Sequence, residues 1–200
     1  MLYADSLGNF GRVANLPRIL AFAASARRES LNRKFLALAV QATKEAGGDV
    51  TLLDLNDFAL PLYNGDLEEA QGLPANAVKL IGLVTEHHAL LVASPEYNSM
   101  LTPLLKNTVD WCSRGDANPF EDKVAAVLSA SPGNYGGVRS LQMAQQLFLK
   151  LGCHVVPGQC VLPHANKAFD TEGNPTDPRT QKSVQELAAK LILTTTRLMA

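Results

Sequence analysis

The chain has 200 residues, 46% of them hydrophobic, and its 18 basic and 19 acidic side chains leave a formal net charge of −1. This length and apolar content suit one domain with a sizeable core. A charge near zero supplies neither the basic field that binds nucleic acid nor an acidic field for a cationic partner, so we expect a small-molecule partner and no nucleic acid.

The cysteines and histidines show no metal-binding pattern. Cys112, Cys153 and Cys160 lack a CxxC spacing, and we interpret them as reduced, packed thiols of a cytoplasmic protein. His87 and His88 are adjacent at the end of a predicted helix, so their side chains diverge and make a poor two-ligand site. We therefore expect no metal.

No apolar run suggests a membrane or secretion segment. The run at residues 19–24 is too short for a signal sequence, and nothing approaches the ~18 apolar residues of a membrane span. We expect no membrane association.

The first half of the chain alternates strands and helices. Residues 1–17 show no periodicity, which predicts an N-terminal extension. Continuous apolar runs predict strands at residues 19–23 and 89–93, and a further strand is predicted at residues 50–55. Helical periodicity predicts helices at residues 32–46 and 75–88. Continuous rather than alternating apolar strands are typical of a parallel sheet covered on both faces.

The second half repeats the alternation. Thr102 as an N-cap followed by Pro103 predicts a helix to about Ser113, and Asp177-Pro178 begins the last helix. Strands are predicted at residues 124–128 and within 153–162, with a helix at residues 138–151 between them. The pattern predicts an α/β fold with a doubly wound, three-layer, five-stranded parallel sheet, in a single domain of residues 1–200. Ligands of such sheets bind at the carboxyl ends of the strands.

The loop after the first strand has the composition of a phosphate site. It reads Ser25-Ala26-Arg27-Arg28-Glu29-Ser30-Leu31-Asn32 and leads directly into a helix, whose N-terminal N–H groups favour anions. It matches neither the glycine-rich nucleoside triphosphate loop nor the dinucleotide loop, so a monophosphate is the better prediction. The alternative is that Ser30 or Asn32 only caps the helix and both arginines face solvent.

The loops after the third and fourth strands complete the pattern. Residues 94–111 contain Pro95-Glu96-Tyr97-Asn98, and residues 129–137 read Ser-Ala-Ser-Pro-Gly-Asn-Tyr-Gly-Gly, whose small residues permit close approach of a flat ligand. Together with the first loop, the segment at 94–111 resembles the NADPH-dependent FMN reductase family of flavodoxin-like quinone, azo and flavin reductases. The resemblance extends over residues 18 to about 160.

This resemblance implies a flavodoxin-like sheet with strand order 2-1-3-4-5 and a bound FMN. By the family pattern, the phosphate contacts Ser25, Arg27, Ser30 and Asn32, with Leu31 between them in the same loop. The flavin ring borders Pro95, Glu96, Tyr97 and Asn98, and the third loop contributes Ser131 and Gly133. One difference is Ala24, where many relatives have glycine.

The resemblance also implies an activity. NADPH or NADH would reduce the flavin, which would pass electrons to a quinone, free flavin, an azo compound or a metal oxyanion, with no catalytic side chain required. The alternatives are a flavodoxin-type electron carrier, which the small net charge disfavours, and a non-enzymatic FMN-binding regulator. Members of the family commonly form dimers or tetramers, so the helix at 103–113 is the candidate subunit contact, and Trp111 is expected to be a packing or subunit-contact residue.

Overall fold

The computed structural model describes residues 16–200 and places a parallel sheet at its centre. The strands are β1 (Arg18–Ala23), β2 (Asp49–Leu53), β3 (Ala89–Ala93), β4 (Val124–Ala130), β5 (His154–Val155) and β6 (Cys160–Leu162). Their order is β2-β1-β3-β4-β5, with β6 also paired to β4. The predicted strand order and flavodoxin-like topology are confirmed.

The α-helices of the described chain are α1 (Leu31–Glu45), α2 (Gly65–Gln71), α3 (Ala75–Glu86), α4 (Pro103–Cys112), α5 (Val138–Lys150) and α6 (Pro178–Leu198), and all but α2 cover the faces of the sheet. Apolar side chains of α1 and α6 pack on one face, and those of α3, α4 and α5 pack on the other. β1, β3 and β4 are almost completely buried, which explains their continuous apolar sequences.

The register brings the ends of the central strands together. Ala23 of β1 is aligned with Ala93 of β3, which is aligned with Leu128 of β4. The loops that follow these strands therefore leave the sheet at the same edge. β4 continues two residues further, to Ala130, where it pairs with β6.

The predicted fifth strand is interrupted. β5 and β6 each pair with β4, and the segment between them contains Pro157 and Gly158, the latter at a φ of 123°. Proline has no N–H to donate to a ladder, and this glycine conformation is one that other residues rarely adopt, so the strand is broken at this point.

The sequence analysis missed α2. None of its residues is buried, so it has no apolar stripe for periodicity to detect. Its signals are local ones: the Asn64 side chain accepts a hydrogen bond from Asp66 N, and acidic residues occupy the first turn. A bond between Arg114 Nε and the Glu68 carboxylate, 3.0 Å, attaches α2 to the end of α4.

Of the two roles expected for Trp111, the structure supports packing within the chain and not subunit contact. Its side chain has no exposed surface, and its indole N–H donates to the Pro61 carbonyl over 2.8 Å. The Tyr63 ring packs edge-on against it at 5.1 Å. Trp111 therefore joins α4 to residues 55–64 of its own chain and is not available as a subunit contact.

His87 and His88 lie at the amino end of the sheet, opposite the edge at which the loops after β1, β3 and β4 leave it. His88 Nδ1 accepts the backbone N–H of Arg18 over 3.0 Å. The Arg18 and Lys123 side chains donate to the carbonyls of Glu86 and Thr85 in the last turn of α3. This arrangement places cations where a helix dipole favours them.

These neighbours predict acid sensitivity. Burial lowers the pKa of His88, and repulsion by Arg18 and Lys123 adds to the effect. The His88 side chain is therefore protonated more readily in the unfolded chain than in the folded chain. The free energy of unfolding is highest above pH 6.5, the ordinary pKa of histidine, and falls as the pH drops below that value. We expect a lower urea midpoint at pH 5.5 than at pH 7.5. His88→Asn keeps an acceptor for Arg18 and should reduce this difference, whereas the exposed-site control His154→Asn should leave it intact. An undiminished difference in His88→Asn would contradict the assignment.

Within residues 16–200, no helix has the length and apolarity that crossing a membrane requires.

Candidate flavin site

A cleft lies at the carboxyl edge of the sheet, where the loops after β1, β3 and β4 meet. Its lining includes the predicted residues Ser25, Arg27, Ser30, Leu31, Asn32, Pro95, Glu96, Tyr97 and Ser131. Ala130 and Pro132 also line it, and the sequence analysis missed both because they carry no polar group that marks a site. Asn98 and Gly133 were predicted with the others, but they do not line this cleft.

The floor of the cleft is the N-terminus of α1. Ser30 occupies the N-cap position, yet its side chain makes no capping hydrogen bond. In the described chain, the first-turn N–H groups of Leu31, Asn32 and Arg33 donate to no protein acceptor. A buried hydroxyl and free N–H groups at the positive end of a helix suit an anion.

The arginines of this loop differ in their partners. Arg27 and Arg28 are exposed and, among residues 16–200, form no ion pair. Arg33 instead binds Asp54 through two hydrogen bonds of 2.6 Å. The charge of Arg33 is therefore balanced within the protein, while Arg27 and Arg28 keep theirs for a ligand.

The Arg33–Asp54 pair supports the loop from outside. The Arg33 guanidinium donates to the Ser25 carbonyl at 3.3 to 3.4 Å, and the Asn56 side chain donates to the Ala26 carbonyl at 3.3 Å. The hydrogen bond from Arg33 lowers the pKa of Asp54, so this carboxyl stays ionised. The end of β2 thus fixes the backbone of the first loop, a role that local sequence does not show.

Asn32 connects the first turn of α1 to the end of β4 instead of pointing freely into the cleft. Its Nδ2 donates to the Ala130 carbonyl over 2.7 Å, and its Oδ1 accepts the Ala130 N–H over 2.9 Å. Both polar atoms of the amide are therefore engaged at the end of β4. In this structure, Asn32 shapes the cleft mainly by holding the first and third loops together.

The alanine at position 24 causes no strain. It is absent from the residues with positive φ, its N–H donates to the Ala93 carbonyl, and its carbonyl accepts the Thr102 hydroxyl. The same hydroxyl caps α4 by accepting the Leu105 N–H. The predicted N-cap at Thr102 is confirmed, and it also ties α4 to the end of β1.

The second loop forms a tight hairpin. Tyr97 and Met100 exchange backbone hydrogen bonds of 3.1 and 3.0 Å around Asn98 and Ser99, which have φ values of 52° and 64°. Left-handed conformations at both central positions are typical of a type I′ turn, in which asparagine is favoured. The turn carries Asn98 to the tip of the loop and leaves the Tyr97 side chain 44% exposed.

The Glu96 carboxylate is held by the N-terminus of α5. It accepts the N–H groups of Arg139 and Ser140 at 3.0 and 3.3 Å and pairs with the Arg139 guanidinium at 3.1 Å. A carboxylate at a helix N-terminus is stabilised by the helix dipole. Glu96 therefore joins the second loop to the helix after the third loop.

Two glycines of the third loop serve close packing within the chain. Gly136 and Gly137 have φ values of 60° and 83°. A Cβ at Gly136 would lie 2.8 Å from Pro163 N, and one at Gly137 would collide with the Ser129 hydroxyl. We predicted that the small residues of this loop admit a ligand, whereas at these two positions they admit the protein's own chain.

The cysteines are remote from this chemistry. All three are buried, and burial raises the pKa of Cys112 and Cys153 to about 12 and that of Cys160 to about 11. Their thiols therefore stay protonated at neutral pH. The described residues contain no cluster of histidine, cysteine and acidic side chains that could hold a metal ion.

Comparison with known proteins agrees with this geometry. Residues 17–167 match the family model described as NADPH-dependent FMN reductase. The chain belongs to the NADPH-dependent FMN reductase family. FMN is accordingly the cofactor of this enzyme, and NAD(P)H is its electron donor.

Two curated relatives cover nearly the whole chain. An NAD(P)H-dependent FMN reductase of Pseudomonas aeruginosa is 32% identical over 182 residues, which are 90% of this chain and 96% of the relative. The NADPH:quinone oxidoreductase of Arabidopsis thaliana is 33% identical over 92% of this chain and 94% of its own.

Solved structures show the same fold. The flavoenzyme NAD(P)H:(acceptor) oxidoreductase FerB of Paracoccus denitrificans aligns with a TM-score of 0.78 at 25% identity, over 91% of this chain and 98% of FerB. A flavodoxin from the Archaea aligns with a TM-score of 0.60 at 8% identity, over 89% of this chain and 98% of its own, which is a likeness of fold alone.

Proposed function

We propose that this FMN reductase family member takes hydride from NADPH or NADH and passes electrons to a small-molecule acceptor, with quinones and free flavin as the leading acceptors. The observation that carries the proposal is the cleft itself, where Arg27, which forms no ion pair among residues 16–200, and the free N–H groups of α1 meet two loops suited to a flat ring. The names of the curated relatives support quinone and flavin acceptors. Azo compounds and metal oxyanions are further candidates.

We assign the phosphate end of FMN to the first loop. The cleft beside this loop has a volume of about 90 Å³ and opens to solvent, and the free N–H groups of α1 lie at its first-loop end. The N–H groups of α1, the Ser30 hydroxyl and Arg27 would hold the phosphate. Ser25, Leu31 and Asn32 would shape the wall around it.

We assign the ring end to the second and third loops. Pro95, Glu96, Tyr97, Ser131 and the nearby Asn98 and Gly133 would border the ring. Tyr97, Met100 and Tyr135 are 44%, 50% and 64% exposed, so the surface beside these loops is open. An open face would admit the nicotinamide and then the acceptor in turn, which is consistent with acceptors of several shapes.

The mechanism depends on the orientation of the flavin and the nicotinamide more than on acid or base catalysis. Bound FMN supplies hydride acceptance and electron transfer. The protein's tasks are to bind the phosphate, fix the ring edge and leave one face accessible. The carboxylate of Glu96, the acidic side chain that lines the cleft, is bound to the N-terminus of α5. No side chain is assigned as catalytic.

The visible spectrum of the purified protein tests the proposal. A flavin spectrum that bleaches on anaerobic addition of NADPH or NADH supports the reductase. A flavin spectrum that persists would favour the carrier or the regulator, and failure to bind added FMN would refute the assignment of all three loops. Repeating the reduction with a quinone in excess, and measuring its consumption, tests the acceptor.

We also propose that the protein is a single-domain, cytoplasmic homodimer or homotetramer. An apolar groove of about 650 Å³ lies between α4 and α5, and its apolar lining includes Met100, Leu101, Met143 and Leu147. The groove adjoins the second loop, so a second subunit bound in it would also lie beside the flavin cleft. Exposed apolar grooves of this size are typical of interaction surfaces.

Met143→Glu should therefore shift the sedimentation coefficient toward the monomer value, because it places a charge in the centre of this groove. Gln142→Glu, on the exposed side of the same helix, is the matched control and should leave sedimentation unchanged. Identical sedimentation of the Met143 variant and the unmodified protein would count against the groove as the interface.

A further inference from the structure

The first turn of α5 holds the Pro95–Glu96 peptide from two sides. The Ser140 hydroxyl donates to the Pro95 carbonyl over 2.7 Å, and the Ser94 hydroxyl lies 3.0 Å from that of Ser140. On the other side, the Glu96 carboxylate accepts the backbone N–H groups of Arg139 and Ser140. Ser140 and Ser94 are both fully buried, so the hydroxyl contacts on the Pro95 side are shielded from water.

This arrangement directs the N–H of Glu96 away from α5. The peptide is trans, so its N–H is antiparallel to a carbonyl that faces Ser140. Within the described chain, the Glu96 N–H donates to no acceptor. Backbone N–H groups in partly buried positions are normally paired. Because Pro95 and Glu96 line the cleft, this free donor is available to a ligand there.

We infer that Ser140 is a positioning residue, which fixes the Glu96 N–H toward an acceptor atom at the edge of the bound flavin ring. The inference rests on the proposed function. Reduction of a flavin increases the negative charge on its ring edge, and a donor held in advance stabilises such charge without reorganisation. Ser140 therefore favours the reduced over the oxidised cofactor, although it does not touch the cofactor itself.

The predicted consequence is a change in redox balance. Without the Ser140 hydroxyl, the Ser94 hydroxyl, 3.4 Å from the Pro95 carbonyl in the unmodified protein, is the donor that stays near it, and the Glu96 carboxylate stays bound to α5. The peptide is then held from one side only, and its orientation is less tightly fixed. In Ser140→Ala, we expect the affinity for oxidised FMN to change by less than about threefold and that for reduced FMN to fall about tenfold. A tenfold fall in the affinity for reduced FMN relative to that for oxidised FMN lowers the midpoint potential of a two-electron couple by about 30 mV.

The experiment measures the midpoint potential of bound FMN and the dissociation constant of oxidised FMN in three variants. Ser140→Ala is the test, and Ser94→Ala/Ser140→Ala removes the remaining hydroxyl and should lower the potential further. Ser183→Ala removes a hydroxyl on α6, where it contacts Cys160, and should leave the potential unchanged. Should Ser140→Ala not fold, Ser140→Cys keeps a weak donor and should give an intermediate lowering.

The outcomes separate this inference from the proposed function. A midpoint potential in Ser140→Ala equal to that of Ser183→Ala would overturn the positioning role. A lower melting temperature would not rescue it, because losing a hydroxyl that only stabilises the fold also lowers the melting temperature. Failure of the unmodified protein to bind FMN would overturn the proposed function itself.

Discussion

Arg27→Ala is expected to weaken FMN binding by about 1.5–3 kcal/mol, because a charge-assisted contact to the phosphate is lost. This corresponds to a roughly 10- to 150-fold higher dissociation constant in a fluorescence titration of the apoprotein. Arg27 lines the cleft, is exposed and forms no ion pair with any of the described residues. Its charge is consequently not committed elsewhere before the ligand arrives.

Two controls make this result specific. Riboflavin lacks the phosphate, so Arg27→Ala should leave its affinity unchanged. Arg28→Ala removes the neighbouring guanidinium, which is equally exposed but does not line the cleft, and should have a smaller effect on FMN. Equal losses for FMN and riboflavin, or no loss for FMN, would contradict the phosphate assignment.

Much of the fold could be predicted because its signals are local. The buried strands β1, β3 and β4 are continuous apolar runs, and Thr102-Pro103 and Asp177-Pro178 cap the helices that they precede. Strict alternation of these elements then restricts the topology. Where local signals conflict or vanish, as at the broken strand around Pro157 and in the exposed helix α2, the prediction failed.

The internal construction of the site could not be predicted in the same way. Arg33 and Asp54 are 21 residues apart, Glu96 and Arg139 are 43 apart, and Asn32 and Ala130 are 98 apart. Each pair forms only after the sheet has brought its loops to one edge. Sequence composition indicated which residues belong to the site, while the fold determines which of them are engaged by the protein and which stay free.

Trp111→Ala is expected to lower the free energy of unfolding by about 3–5 kcal/mol, the range typical of removing a large buried aromatic side chain. The loss includes the indole hydrogen bond to the Pro61 carbonyl and the edge-on contact with Tyr63. Urea denaturation followed by circular dichroism measures it. Trp111→Phe keeps an aromatic ring but loses the N–H donor. The Pro61 carbonyl still accepts the Asn107 side chain over 2.9 Å, so a smaller loss, about 1 kcal/mol for one hydrogen bond, should follow.

The Trp111 variants also separate packing within the chain from packing between chains. Because the indole is fully buried within its own subunit, Trp111→Phe should sediment like the unmodified protein, whereas Met143→Glu in the α4–α5 groove should sediment as a smaller species. A Trp111→Phe protein of unaltered stability that nevertheless dissociates would mean that Trp111 acts at a subunit interface after all. Lost stability with unchanged sedimentation would instead establish that α4 uses Trp111 to hold residues 55–64 of its own chain.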